Sequence, residues 1–131
     1  MIFREVGSIS CGWTHCLALC DKKELFVWGR NTYGQCGNSQ ISTFQSCDKE
    51  TCKIKTIGTH SDLDIVKAVS GSEHCMLLGS TGDLYTWGWN EHGNLGNGHT
   101  DNVSSPTKID LGGKFCKDIF VGSAHCFAYV Q

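Results

Sequence analysis

Three times the chain sets a histidine directly before a cysteine: His15-Cys16, His74-Cys75 and His125-Cys126. Each pair ends a Gly-x-x-His-Cys phrase that begins at Gly12, Gly71 or Gly122. An imidazole beside a thiol is the pairing that activates a cysteine nucleophile, and three imidazoles are enough to hold a zinc ion. Both chemistries fail on geometry if these stretches are β-strands. Adjacent strand residues point to opposite faces, so none of the three histidines can hydrogen-bond the cysteine that follows it. Equivalent positions on packed neighbouring sheets lie ~10 Å apart, whereas the ligand atoms of one zinc ion lie within ~4 Å of each other. The expected role is structural, each imidazole anchoring a nearby backbone group in its own sheet. No catalytic residue, metal ligand or cofactor is assigned.

Other chemistries are excluded in turn. The net charge is −2 and the longest basic run is Lys22-Lys23, so direct nucleic-acid binding is not expected. Gly112-Gly113-Lys114 lacks the spacing of a phosphate-binding loop, and no helix pattern follows it. The nine cysteines are an odd number and cannot all pair within one chain. Residues 1–20 carry Arg4, Glu5 and His15 and lack the clean apolar core of a secretory signal. A reducing compartment, cytosol or nucleus, is expected, with the thiols acting as small buried hydrophobes. Cys16 and Cys20 share one strand face. Cys47 and Cys52 flank Asp48-Lys49-Glu50 in a loop without zinc-knuckle spacing. There is no run of 18 apolar residues, so no membrane-spanning helix is expected.

The elements that position these residues repeat. Residues 28–37 read WGRNTYGQCG and residues 87–96 read WGWNEHGNLG, 59 positions apart. The Gly-x-x-His-Cys phrases recur at spacings of 59 and then 51 residues. A period near 50 is long for a helical solenoid and suits a four-stranded propeller blade. Short stretches rich in aromatic and β-branched residues occupy 14–20, 24–29, 65–70, 73–79, 84–88, 117–121 and 125–130. Hairpin turns fall at Asp21-Lys22-Lys23-Glu24 and Ser80-Thr81-Gly82-Asp83, where Gly82 can take positive φ. Pro106 is expected to open a strand over TKIDL, where its missing N–H does little harm.

The fold class is therefore all-β: about ten strands, or two and a half four-stranded blades of a β-propeller. Repeat units run over about 1–59, 60–110 and a partial 111–131. Propellers need at least four blades to close, so the remaining blades are expected from sequence upstream of Met1. In the motif itself, Gly34, Gly37, Gly93 and Gly96 suit left-handed turns. Trp28 and Trp87, ahead of Gly29 and Gly88, are expected to pack between blades, burying roughly 150–250 Å² each. Asn31 and Asn90 are expected to tie their turns through side-chain bonds to the backbone.

Gly-x-x-His followed about 13 residues later by Trp-Gly-x-Asn-x-x-Gly-x-x-Gly resembles the repeat of the regulator of chromosome condensation family. The resemblance covers nearly the whole chain and implies a seven-bladed propeller. Within the family, Trp87 to Gly93 followed by a half repeat most resembles the C-terminal blades of the secretion-regulating guanine nucleotide exchange factors. The first unit departs from the pattern by eight extra residues, expected within 39–53. The resemblance also implies a protein partner, with a small GTPase as one candidate.

Propeller function lives on the loops. Those after the Trp-Gly motifs offer Arg30, Tyr33, Trp89, Glu91 and His92 as candidate partner-binding residues, of types enriched at interface hot spots. Trp89 leads, because its equivalent is Arg30 and the scaffold does not demand tryptophan there; the alternative is that Trp89 only caps its blade edge. Three functions follow: a protein-interaction scaffold, guanine nucleotide exchange by the intact parent, or a non-functional truncated product with bare strand edges.

Overall fold

A computed structural model describes residues 5–21, 24–40, 53–54 and 64–131. Most of the expected insertion, residues 41–52 with Cys47 and Cys52, lies outside the described residues, as do Lys22 and Lys23. The strands are β1 (Val6–Cys11), β2 (His15–Cys20), β3 (Glu24–Gly29), β4 (Lys53–Ile54), β5 (Ile65–Ser70), β6 (His74–Gly79), β7 (Leu84–Gly88), β8 (Val103–Lys108), β9 (Cys116–Val121) and β10 (Cys126–Val130). They form sheets β1-β2-β3-β4 and β5-β6-β7-β8 and a two-stranded sheet β10-β9, with every strand pair antiparallel. This is part of a β-propeller: two four-stranded blades and a half blade.

Strand alternation builds the core between blades. One face of the first blade (Leu17, Leu19, Leu25, Val27) packs against Ile65, Ala68, Cys75, Leu77, Tyr85 and Trp87 of the second. The second blade's other face (Met76, Leu78, Leu84) packs against Cys116 and Ile119 of the half blade. Both faces of β6 and β7 are covered, so every residue in them is buried, and after His74 the sequence CMLLG carries no charged residue.

The layering treats the two motif tryptophans differently. Trp87 is fully buried, but Trp28, its equivalent, is 39% exposed. Trp28 sits on the first blade's outer face, opposite Cys16, and among the described residues no sheet covers that face. Pro106 also sits differently. It lies inside β8 rather than at its start, on an edge strand where the register with β7 shifts between Thr86 and Gly88. The irregularity leaves the proline's absent N–H without a ladder position to fill.

Gly82 closes the β6–β7 hairpin at φ 79°, and the bare α-carbon leaves room for the Phe115 ring of the next blade. In the first hairpin Asp21 takes φ 51°, a conformation aspartate tolerates better than most residues.

Candidate functional site

The loops after β3 and β7 leave the sheets at the same end as the Gly-x-x-His turns. Each is held at its entry by one backbone bond, from Arg30 N–H to Thr14 C=O at 2.9 Å and from Trp89 N–H to Glu73 C=O at 3.0 Å. Asn31 Oδ1 accepts from Cys36 N–H at 3.1 Å, and Asn90 Oδ1 from Leu95 N–H at 3.0 Å. Asn90 also donates to the carbonyls of His99 and Asp101. Gly34, Gly37, Gly93 and Gly96 have φ between 68° and 79°. These bonds satisfy loop backbone that no ladder reaches.

The first loop is wedged into the seam between blades. Gln35 is fully buried there. Its Nε2 donates to Glu73 Oε2 at 2.6 Å, and its Oε1 accepts from Tyr33 N–H at 2.8 Å. Its carbonyl accepts from Trp87 Nε1 at 2.9 Å. Thr14 Oγ1 adds a second donor to Glu73 Oε2 at 2.7 Å. A largely buried carboxylate is thus stabilised by two neutral donors.

The histidines stand along the same seam. His15 Nε2 lies 3.2 Å from Cys75 Sγ, across the blades rather than beside its own Cys16. This is not an activated pair. Burial pushes the Cys75 thiol far above its ordinary range. Burial also lowers His15, against an upward pull from Glu73. His74 is lowered chiefly by burial, against an upward pull from the His125 backbone. His15 thus meets a sulfur across the seam in addition to the His74 backbone. His74 packs its ring over Gly71, where any Cβ would collide with it. His125, at the half blade, stacks on Phe127 with ring centroids 6.2 Å apart. Gly12, Gly71 and Gly122 each donate N–H to the carbonyl of their own histidine, closing the turn. Among the described residues, no group of three or more His, Cys, Asp or Glu could hold a metal ion.

The five candidate partner-binding residues form two clusters. Trp89 Nε1 donates to Glu91 Oε2 at 3.3 Å, and its ring meets His92 edge-on at 5.2 Å. The Arg30 guanidinium lies 5.8 Å from the Tyr33 ring centroid, and its Nε donates to Thr32 Oγ1 at 2.7 Å. Glu91, His92 and Arg30 are exposed; Trp89 and Tyr33 are half-buried. No hydrogen bond or ring contact joins the two clusters among the described residues.

One residue that sequence reasoning passed over belongs on this end. Trp13 is 75% exposed, at the tip of the β1–β2 turn. It borders a shallow cavity of about 280 Å³ lined by corresponding positions of all three sheets, among them Gly12, Ser72 and Ser123. Its N–H donates to Ser72 C=O, as Ser72 N–H does to Ser123 C=O. The signal was present: the three turns read Gly-Trp-Thr-His, Gly-Ser-Glu-His and Gly-Ser-Ala-His, so Trp13 stands where serine otherwise does.

The family model described as "Regulator of chromosome condensation (RCC1) repeat" matches residues 24–78 and 81–129, and a second model of that description matches 7–35 and 65–94. The human RCC1-like G exchanging factor-like protein is 35% identical over 111 residues, which are 83% of this chain and 23% of the relative. The crystal structure of human WBSCR16 superposes with a TM-score of 0.79 at 31% identity, covering 95% of this chain and 31% of that one. That of Prp20p from Saccharomyces cerevisiae gives 0.75 at 20% identity, covering 97% and 31%. The chain therefore spans about a quarter of the length of the curated relative it matches.

Proposed function

Because the chain belongs to the regulator of chromosome condensation repeat family, we propose that it works as a protein-interaction module whose loop end, centred on Trp89 and Trp13, docks a partner protein. The observation that carries the reading is a break in equivalence. Backbone bonds repeat from blade to blade, yet Trp89 replaces Arg30 and Trp13 replaces serine, both at the loop end. Tryptophan open or partly open to solvent on fixed backbone is hot-spot chemistry. A small GTPase is the partner class proposed first. One relative is named a G exchanging factor-like protein, and the work on Prp20p concerns its binding to Gsp1p and histones. Cytosol or nucleus is the proposed compartment.

A second reading, guanine nucleotide exchange, is favoured by the same relative's name. Exchange requires only tighter binding to the nucleotide-free GTPase than to the loaded one. One experiment separates the two. A panel of small GTPases loaded with fluorescent GDP is titrated with the chain, its Trp89→Ala variant and its Trp13→Ala variant. Binding without faster nucleotide release supports the scaffold; faster release supports exchange. Binding that survives both substitutions unchanged refutes the loop-end site.

A further inference from the structure

One pair of groups at the base of the β1–β2 turn is not used by the reading above. Cys11 closes β1 and Cys16 lies near the start of β2, and they are direct cross-strand partners. Their sulfurs are 3.4 Å apart, with the Cys16 thiol donating to Cys11 Sγ. Gly12 N–H bonds His15 C=O one position further along, so Cys11 and Cys16 occupy a non-hydrogen-bonded position. Cα atoms there approach to about 4.5 Å, inside the ~4.4–6.8 Å that a disulfide spans. Bond formation needs the sulfurs to close to ~2.05 Å, a movement that side-chain rotation supplies. The corresponding pairs in the other sheets are Ser70–Cys75 and Val121–Cys126, so only the first blade carries two thiols here. Among the described thiols Cys20, Cys36, Cys75 and Cys116 are buried, Cys16 and Cys126 are half-buried, and Cys11 is exposed.

We propose that Cys11 and Cys16 form a reversible disulfide that clips β1 to β2 in response to low-molecular-weight disulfides such as oxidised glutathione. The exposed Cys11, as thiolate, attacks one glutathione sulfur; the first glutathione thiolate leaves, and a mixed disulfide remains on Cys11. Cys16 releases its proton to solvent and attacks Cys11 Sγ, expelling the second glutathione thiolate. Two protein thiols lose two electrons and two protons, and one oxidised glutathione becomes two reduced molecules. The clip joins β1, exposed along nearly its whole length, to the strand it ladders with. Burial, then the hydrogen bond to Cys11, raises the Cys16 thiol, so the more exposed Cys11 attacks first.

The test uses the full chain equilibrated at graded ratios of reduced to oxidised glutathione, alkylated, and digested with chymotrypsin. Cleavage after Trp13 separates Cys11 from Cys16, so their peptides stay joined only through the disulfide. The link is expected in the wild-type chain and in Cys20→Ser, and absent from Cys11→Ser and Cys16→Ser. In Cys16→Ser a glutathione adduct should accumulate on Cys11. Hydrogen exchange at β1 amides should slow in the oxidised form by up to about 40-fold, the loop-closure effect for a six-residue loop. A link mapping to Cys20, no link at the most oxidising ratio, or unchanged β1 exchange on oxidation would overturn the proposal.

Discussion

Replacing Gln35 by alanine should destabilise the chain by about 3 kcal/mol. The side chain contributes two bonds inside the seam. The donation at 2.6 Å goes to the Glu73 carboxyl, and a bond to a charged group is worth roughly 1.5–3 kcal/mol. The bond from Tyr33 N–H at 2.8 Å is neutral and adds about 1 kcal/mol. Alanine leaves the backbone untouched, so the Trp87 bond to the Gln35 carbonyl persists. Urea unfolding should show the midpoint falling at unchanged slope, and the melting temperature should drop by about 10 °C. A double-mutant cycle with Glu73→Ala should return a coupling of about 1.5–3 kcal/mol.

Gln35→Glu sharpens the test. It sets two carboxylates where the amide–carboxylate contact now is, so one carboxyl must have its folded-state pKa raised. The folded chain then binds more protons than the unfolded one, and this contribution to stability grows as pH falls. The variant should therefore be weakest near pH 7 and gain relative to wild type on mild acidification. If Gln35→Ala costs under about 1 kcal/mol, or the cycle returns no coupling, the seam is not held as described.

Three further outcomes follow from the geometry. His15 and His74 are both lowered by burial, so the unfolded chain takes up protons first. Stability should be full above about pH 6.5 and fall below it, at up to roughly 2.7 kcal/mol per pH unit for the two together; His74→Gln should about halve that slope in urea titrations across pH 5–7.5. Gly34→Ala should cost more than Gly93→Ala in the same assay. Both need left-handed backbone, worth roughly 1–2 kcal/mol, but only at Gly34 would the new Cβ lie 2.7 Å from Ser104 Cα. Trp87→Ala should cost about 3–5 kcal/mol, and Trp28→Ala markedly less, because its ring stays partly in solvent.

The strands rich in aromatic and β-branched residues and bounded by turn residues could be read directly: 24–29, 65–70 and 84–88 coincide with β3, β5 and β7. β1 could not. VGSISC is small and polar, and it becomes a strand because β2 offers it a ladder. The histidine geometry was legible within a blade and hidden between blades. Alternation excludes His15 from Cys16, but only the packing distance shows that the opposite face brings Cys75 to it. Gln35 left no signal, since it occupies a variable position of the Trp-Gly phrase and its equivalent, Asn94, turns back to the Trp89 carbonyl. The Cys11–Cys16 pair needs the β1–β2 register, which no pattern in β1 announces.

The same residues bear on the docking proposed for the loop end. Arg30 and Trp89 have their amides pinned by the same bond to equivalent carbonyls, so the backbone there is fixed whatever side chain it carries. A position whose backbone is over-determined and whose side chain is free can change chemistry without disturbing the fold. Gln35, eight residues into the first unit's phrase, is the reverse: its side chain is consumed by the seam and cannot serve a partner. Rigid display also lowers the ordering cost of binding, which gives Trp89 an advantage that an aromatic residue on a loose loop would lack. The Trp89–Glu91 bond and the edge-on His92 contact further limit the ring's rotamers. Removing either neighbour should therefore weaken docking through Trp89 while leaving unfolding free energy unchanged, and a loss of stability instead would place those residues with the scaffold.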